Sequence, residues 1–422
     1  MIELHPSDQP RRVLLDIYHR ALAEVDGRTR VARALEERTA PVAVYLAALG
    51  KAAAAMAQGA FDAWGGGIRR ALVITKYGHC RQLPPPTVCR EAGHPVPDKA
   101  SLQAGAELLA FVREAPADAA FLFLISGGAS ALAEQLPEGM ELTTLRSVNN
   151  WLLGSGWDIA QLNRVRKALS LIKGGRLARV VDGRPTRVLL ISDVPDDDPA
   201  TIASGPLCAD PRAGEPMPPG LPTWIADLVG RTPRAPLLSD PLFNTIKQQV
   251  IATNRDARQA AGEHGRAMGL NVYMHDTPLC GEAAQAGARI AEALLDGSPG
   301  LHLWGGETTV TLPPDPGRGG RCQSLALAAA RVLDGRGDAL LLAAGTDGSD
   351  GPTDDAGALV DGGTVGRGEE GGLDAEAAVR RADAGRFLEA SGDLIQTGPT
   401  GTNVMDLVLA LKLPFGNVPA VG

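Results

Sequence analysis

A chain of 422 residues, 44% hydrophobic and 21% charged, carries enough apolar mass for two ordinary domains and lacks the composition of a disordered or fibrous protein. Its formal net charge of −8 excludes the broad basic field of a nucleic-acid or anionic-membrane binder, so any anionic ligand must be held by local cations. No segment approaches the roughly eighteen consecutive apolar residues of a membrane span, and "MIELHPSDQPRRV" has no apolar stretch behind a basic start, so a cytoplasmic protein is expected.

In chain order, short apolar runs alternate with glycine turns and alanine-rich helical stretches, the pattern of a parallel α/β sheet. "VAVYLAALG" precedes "KAAAAMAQGAFDAW", "AFLFLIS" precedes "GGASALAEQ", and "RVLLIS" precedes "DVPDDDPATIASGPL". The stretch from Leu142 to Val181 is predicted helical, with Gly174 or Gly175 ending one helix. Proline-rich residues 211–224 form the best linker candidate, and the domain boundary is placed near residue 236. Beyond it, "QQVIATN", "NVYMHD", "LHLW" and "ALLLAAG" continue the same grammar. "TGPTGTNVMDLVLALKL" is predicted to end in an apolar helix that Thr402 or Asn403 caps.

Five scattered cysteines, none in a CxxC pair, fit reduced thiols better than a disulfide framework. His79, Cys80, Cys89 and His94 cluster in sequence but match no zinc-finger spacing, and a rigid loop built on Pro84 to Pro86 accounts for them better. "GRGEEG" at 366–371 is a literal GxGxxG, yet a dinucleotide turn should follow a strand and present positive potential to the pyrophosphate, whereas this one carries Glu369 and Glu370, so it is set aside.

In an open parallel sheet, ligands bind beyond the carboxyl ends of the strands. This gives the polar turns one address. Lys51 follows the first strand, and Ser126, Gly127, Gly128 and Ser130 follow the next, where small residues let backbone N–H groups approach an anion. The same turn serves equally well as an ordinary strand-to-helix connection. Asp193 follows "RVLLIS", Glu307 follows "LHLW", and Asp347 and Asp350 follow "ALLLAA"; hard oxygen ligands of this kind suit Mg²⁺ beside nucleotide phosphates, although acidic loops are commonly only solvated. Asp354 and Asp355 read as turn and helix-start residues. Arg321 begins an apolar helix, an unfavourable place for a cation unless an anion joins it. Arg166 and Lys173 belong to a basic face from which one or two side chains could reach a carboxylate, and Thr397, Thr400 and Asn403 offer polar groups near the C-terminus.

Taken together, "GKAAAAMA", "GHPVPD", "LISGGASAL", "VRKALSLIKGGRLA", "ISDVPDDDPATIASGPL", "GGETTV", "GGRCQSLAL", "GTDGSDGPTDDAG" and "TGPTGTNVMDL" closely resemble the glycerate 2-kinases of the MOFRL family, in order and over nearly the whole chain. The resemblance implies an N-terminal Rossmann-like domain with a parallel sheet (residues 1–236), a C-terminal α/β MOFRL domain (237–422) and an active site in the interdomain cleft. It implies ATP-dependent phosphorylation of D-glycerate to 2-phosphoglycerate with ATP and Mg²⁺, in a monomer or homodimer without nucleic-acid or membrane partners. Lys51 and Arg321 resemble the family's basic pair, and Asp193 is the candidate for orienting the attacking hydroxyl. Asp193, Asp347 and Asp350 are the metal candidates. Ala129, Cys322 and Met405 depart from the family pattern. The alternatives are a hydroxypyruvate reductase and a catalytically silent nucleotide- or sugar-acid-binding protein.

Overall fold

The computed structural model describes residues 9–36, 39–41 and 43–414. The chain forms two compact units, one of residues 27–251 and one of residues 1–26 with 252–422. It therefore passes from one unit to the other twice, and the division falls at 26/27 and 251/252 instead of near residue 236. The first helix, α1 (Gln9–Glu24), belongs with the later residues.

The unit of 27–251 runs α2 (Gly27–Glu36), β1 (Val44–Leu49), α3 (Ala53–Trp64), β2 (Ile68–Lys76), β3 (Thr87–Ala92), α4 (Lys99–Glu114), β4 (Ala120–Ile125) and α5 (Ala129–Leu132). It continues with α6 (Leu142–Gly154), α7 (Ile159–Ala168), α8 (Arg176–Val181), β5 (Thr186–Ile191), α9 (Thr223–Arg231) and β6 (Ile246–Ala252). Its sheet has the order β3-β2-β1-β4-β5-β6, and β1 to β5 pair in parallel. Because helices cover a parallel sheet, the strands read as continuous apolar runs, and Leu122, Phe123 and Leu124 in succession are fully buried. Asp98 and Asp158 start α4 and α7 by accepting the N3 backbone N–H in capping boxes,.

Three local expectations are corrected here. Gly174 and Gly175 end no helix: α7 stops at Ala168, and both glycines, at positive φ, lead into α8. The segment after β5 is not a helix but a run of turns with one short 3₁₀ turn at Ile202–Ser204, since Pro195, Pro199 and Pro206 interrupt any helical ladder and Asp198 accepts from Ala200 N. Cys80 and Cys89 are joined in a disulfide, against the expectation of reduced thiols. The reason is topological: β3 runs parallel to β2 with Cys89 level with Val73, so the chain leaving β2 must double back, and this return sets the Cα of Cys80 6.4 Å from that of Cys89.

The other unit holds α1, α10 (Asn254–Ala267), β7 (Val272–Met274), α11 (Ala283–Asp296), β8 (Gly300–Gly306), α12 (Arg321–Leu333), β9 (Ala339–Gly345), β10 (Gly357–Asp361), α13 (Thr364–Glu370), α14 (Ala375–Arg380), α15 (Ala384–Ser391), β11 (Leu394–Ile395) and β12 (Asp406–Lys412). Its sheet order is β11-β10-β9-β12-β8-β7. This sheet is mixed, not parallel: β12 runs antiparallel to β8 on one side and to β9 on the other. The C-terminal apolar run is thus a central strand and not a helix, and Asp355 leads into strand β10 and not a helix. Alanine-rich α12 packs on α11 and the sheet, with Leu325, Leu327 and Leu333 in one core with Leu341 and Phe387.

Candidate functional site

In the unit of 27–251, the turn after β1 and the turn after β4 are joined at the carboxyl edge of the sheet. Lys51 N donates to Gly127 O at 3.0 Å and Ala52 N donates to Ser126 Oγ at 3.1 Å. Lys51, Ser126, Gly127, Gly128 and Ser130 are therefore brought together, as expected. Gly128 sits at φ +85°, and a methyl group there would stand 3.0 Å from His94 Cδ2 and 3.3 Å from Lys51 Cγ, so glycine serves both the left-handed backbone and the close approach. Two residues join this cluster: Ser204, which the sequence did not single out, and His94, which it marked only within a zinc grouping that was set aside. His94 lies across Gly128, and Ser204 places Oγ 3.0 Å from Ser130 Oγ. Ala203 and Ser204 have φ of 53° and 62°, an uncommon backbone for side chains other than glycine and asparagine, which fixes the hydroxyl at this edge. His79 Nδ1 stands 3.4 Å from Lys51 O.

Asp193 lies just past β5, partly buried on the same edge. Lys173 is a different matter. Its ammonium is buried against Glu134, whose other oxygen accepts from Ser170 Oγ at 2.5 Å, so this lysine neutralises an internal carboxylate and is corrected as a substrate contact. Arg166, in the last turn of α7, donates to Asn149 Oδ1 at 3.2 Å, and burial lowers its pKa.

In the other unit, the carboxyl ends of β8 and β9 meet the start of β12, with Asp406 in register with Gly306 and Gly345. Arg321 Nε and Nη2 donate to the two oxygens of Asp406 at 2.6 and 2.9 Å, and Nη1 donates to Glu307 Oε1 at 2.5 Å. This two-point fork is the strongest geometry available to an arginine and a carboxylate. Burial works against the guanidinium, but the charge and hydrogen bonds of Asp406, with Glu307, outweigh it and raise its pKa.

Asp347 belongs to the same cluster. Its Oδ1 accepts from Ser349 N at 2.9 Å, and a methyl group at Gly345 would stand 3.4 Å from Asp347 Oδ1 and 3.5 Å from Asp406 Oδ1. Thr400 Oγ1 donates to Thr346 O at 2.6 Å, which ties the 397–403 segment to this turn. Asn403 is buried there, while Thr397 Oγ1 is spent on Gly398 O.

Asp350 is corrected as a metal candidate. Its two oxygens accept from Cys322 N at 3.1 Å and Gln323 N at 2.8 Å, so it caps the start of α12 from a distant loop. A methyl group at Gly320 would lie 2.3 Å from the Asp350 carboxyl, which is why the turn before α12 must be glycine. Burial, with the Asp406 charge, pushes the Asp350 pKa up to about 7 against the pull of its two backbone donors. Tyr18 of α1 is fully buried and donates to Gly345 O at 2.9 Å. Burial, then Cys322, Asp347 and Asp406, raise its pKa, so the phenol stays a donor. Asp406 and Tyr18 are the residues that sequence reasoning did not single out; "TNVMD" carried the first, and nothing local marked the second.

Among the described residues, no group of three or more His, Cys, Asp or Glu side chains stands as a ready metal cage, and no helix is long and apolar enough to cross a membrane. "GRGEEG" lies on α13, where Gly368 packs against Phe387, in helix and not in a strand-to-helix turn.

Residues 13–217 match a domain of unknown function, DUF4147, and residues 300–406 match the MOFRL family. A glycerate 2-kinase from Pyrococcus horikoshii is 37% identical over 387 residues, 87% of this chain and 87% of that protein. The chain belongs to the glycerate 2-kinase family. A putative hydroxypyruvate reductase from Agrobacterium vitis is 37% identical over 412 residues, 94% of this chain and 93% of that protein. The crystal structure of glycerate kinase from Thermotoga maritima aligns with a TM-score of 0.81 at 33% identity, covering 96% of this chain and 100% of that one.

Proposed function

We propose that this protein is a glycerate 2-kinase, transferring the γ-phosphoryl group of ATP to the 2-hydroxyl of D-glycerate and releasing ADP and 2-phosphoglycerate. The observation that carries the reading is the Arg321 cluster: one guanidinium fixed by Asp406 and Glu307 at the strand ends, with the Asp347 carboxylate near that of Asp406. The family membership and the Lys51 turn agree with it.

The donor set fits a hard divalent cation. Asp347 offers a carboxylate on a turn held by Ser349 and the 397–403 segment, and Mg²⁺ needs only one or two carboxylates because it keeps waters and phosphate ligands. When bound, MgATP supplies the phosphoryl group and neutralises charge on its own phosphates. The chain's residues do the positioning. Lys51, with the Ser126–Ser130 turn, offers a cation and backbone N–H groups for anionic oxygens. Asp193 orients the attacking hydroxyl and accepts its proton, and Arg321, held in place before substrate arrives, offsets negative charge without reorganisation. Glu307, Thr400 and Asn403 shape the polar wall around it.

Incubation with D-glycerate and MgATP is expected to give glycerate-dependent ADP, and phosphorus NMR a 2-phosphoglycerate signal. Oxidation of NADH by hydroxypyruvate with no ADP formation would instead establish the reductase, and saturable ligand binding with neither turnover would establish a silent binding protein. The reductase lacks a dinucleotide turn at the one GxGxxG, which is helical.

A further inference from the structure

A cavity of about 680 Å³ opens at the amino ends of the parallel strands. Val44, Ala120 and Thr186, the first residues of β1, β4 and β5, all border it. Lys51 and the Ser126–Ser130 turn lie at the carboxyl edge, about 20 Å of strand away. The volume falls within the roughly 300–1,000 Å³ typical of small-molecule sites.

The lining has a definite chemistry. Trp64 and Pro185 join Val44 in apolar walls, and the charged residues of the lining are Arg187 and Lys247, with no aspartate or glutamate among the described residues that border it. Arg187 is anchored, since Nη2 donates to Ala34 O at 2.7 Å and Gln249 Oε1 at 3.2 Å. Lys247 makes no ion pair among the described residues and is exposed. Thr245 also borders the cavity, with its Oγ1 shielded from solvent and without a hydrogen-bond partner among the described residues. On this edge α3 presents its carboxyl end, at Trp64, and helix carboxyl ends repel anions. Selectivity for an anion therefore rests on the two cations.

We propose that this cavity is a second ligand site, separate from the phosphoryl-transfer residues, for a small organic anion with a planar apolar body. The anionic group sits at Lys247 and Arg187, and the planar body lies against Trp64 and Val44. Aromatic carboxylates and nucleoside monophosphates share this chemistry.

The test uses the full chain with ADP and D-glycerate saturating, titrated calorimetrically with 2-naphthoate, with the neutral 2-naphthol and with adenosine monophosphate. One equivalent of 2-naphthoate is expected to bind, with 2-naphthol at least about tenfold weaker. Lys247→Glu is expected to weaken 2-naphthoate about tenfold or more while Lys247→Arg retains it, and turnover without the probe stays at the wild-type rate in both. Displacement of 2-naphthoate by adenosine monophosphate assigns the site to nucleotides, and its failure to displace assigns it to aromatic carboxylates. Absence of binding, equal binding of 2-naphthol, or undiminished binding to a Lys247→Glu protein with an unchanged urea midpoint overturns the proposal.

Discussion

The two polar clusters are built on opposite plans. In the unit of 27–251, the cluster grows directly out of two parallel strands: small residues turn the chain, and backbone groups bond one turn to the other. In the other unit, charges converge from the ends of β8, β9 and β12 and from the start of α12, and the uncharged 397–403 segment is tied to them by a hydroxyl hydrogen bond. The first cluster needs its backbone shape, and the second needs its ion pairs, so substitution should separate activity from stability differently in each.

The largest effect is expected from Arg321→Ala. Loss of a preorganised cation should lower kcat about 1,000-fold. It also leaves Asp406, 4% exposed, without its partner, costing about 2–3 kcal/mol because Arg321 itself keeps some solvent contact. Steady-state kinetics and urea unfolding on one preparation read both. Arg321→Lys should keep the charge, lose the fork and recover little activity. Lys51→Ala should lower kcat about 100-fold with a much smaller change in urea midpoint; equal loss of stability in the two variants would erase the contrast drawn above.

Gly320→Ala drives a methyl group into the Asp350 carboxyl and should destabilise the start of α12 by about 1–3 kcal/mol, measured by denaturant unfolding. Gly128→Ala meets only side-chain neighbours at 3.0 Å and beyond, plus the left-handed backbone, and should cost about 1 kcal/mol.

A further effect depends on pH. Asp350 has a pKa of about 7 in the fold against about 4 in an open chain. The native state therefore binds more protons across that interval, and unfolding free energy falls as pH rises from about 4 through 7. Asp350→Asn should flatten this fall in urea midpoints taken across the interval, at a fixed cost of about 1 kcal/mol for the lost second hydrogen-bond acceptor.

The difference in plan also explains what the sequence disclosed. Lys51 and "SGGAS" were legible because each follows its own strand, and adjacency in sequence becomes adjacency on the sheet edge. Glu307 and Asp347 were legible for the same reason and Arg321 as a cation opening an apolar helix, but Asp406 was not, because it is the first residue of its strand and faces the others only through antiparallel pairing. "LVLALKL" has no polar alternation and suits a helix by propensity; burial on both faces makes it a strand,. Lys412 could not mark an exposed face, since its ammonium donates to Leu295 O and Gly297 O at the end of α11. Tyr18 was hidden because its partner, Gly345, lies 327 positions away. The pairing of Cys80 with Cys89 required the return of β3, which spacing alone does not reveal.

β12 occupies the middle of its sheet while α1 packs within the same unit. During synthesis on the ribosome, α1 emerges before residues 27–251 and must wait while the whole of that unit is made. β8 and β9 are joined in the sheet only through β12, which lies between them and pairs with each. Folding of this half thus waits until β12 has been made, and a chain shortened before Asp406 would present two open strand edges to every neighbouring nascent chain,.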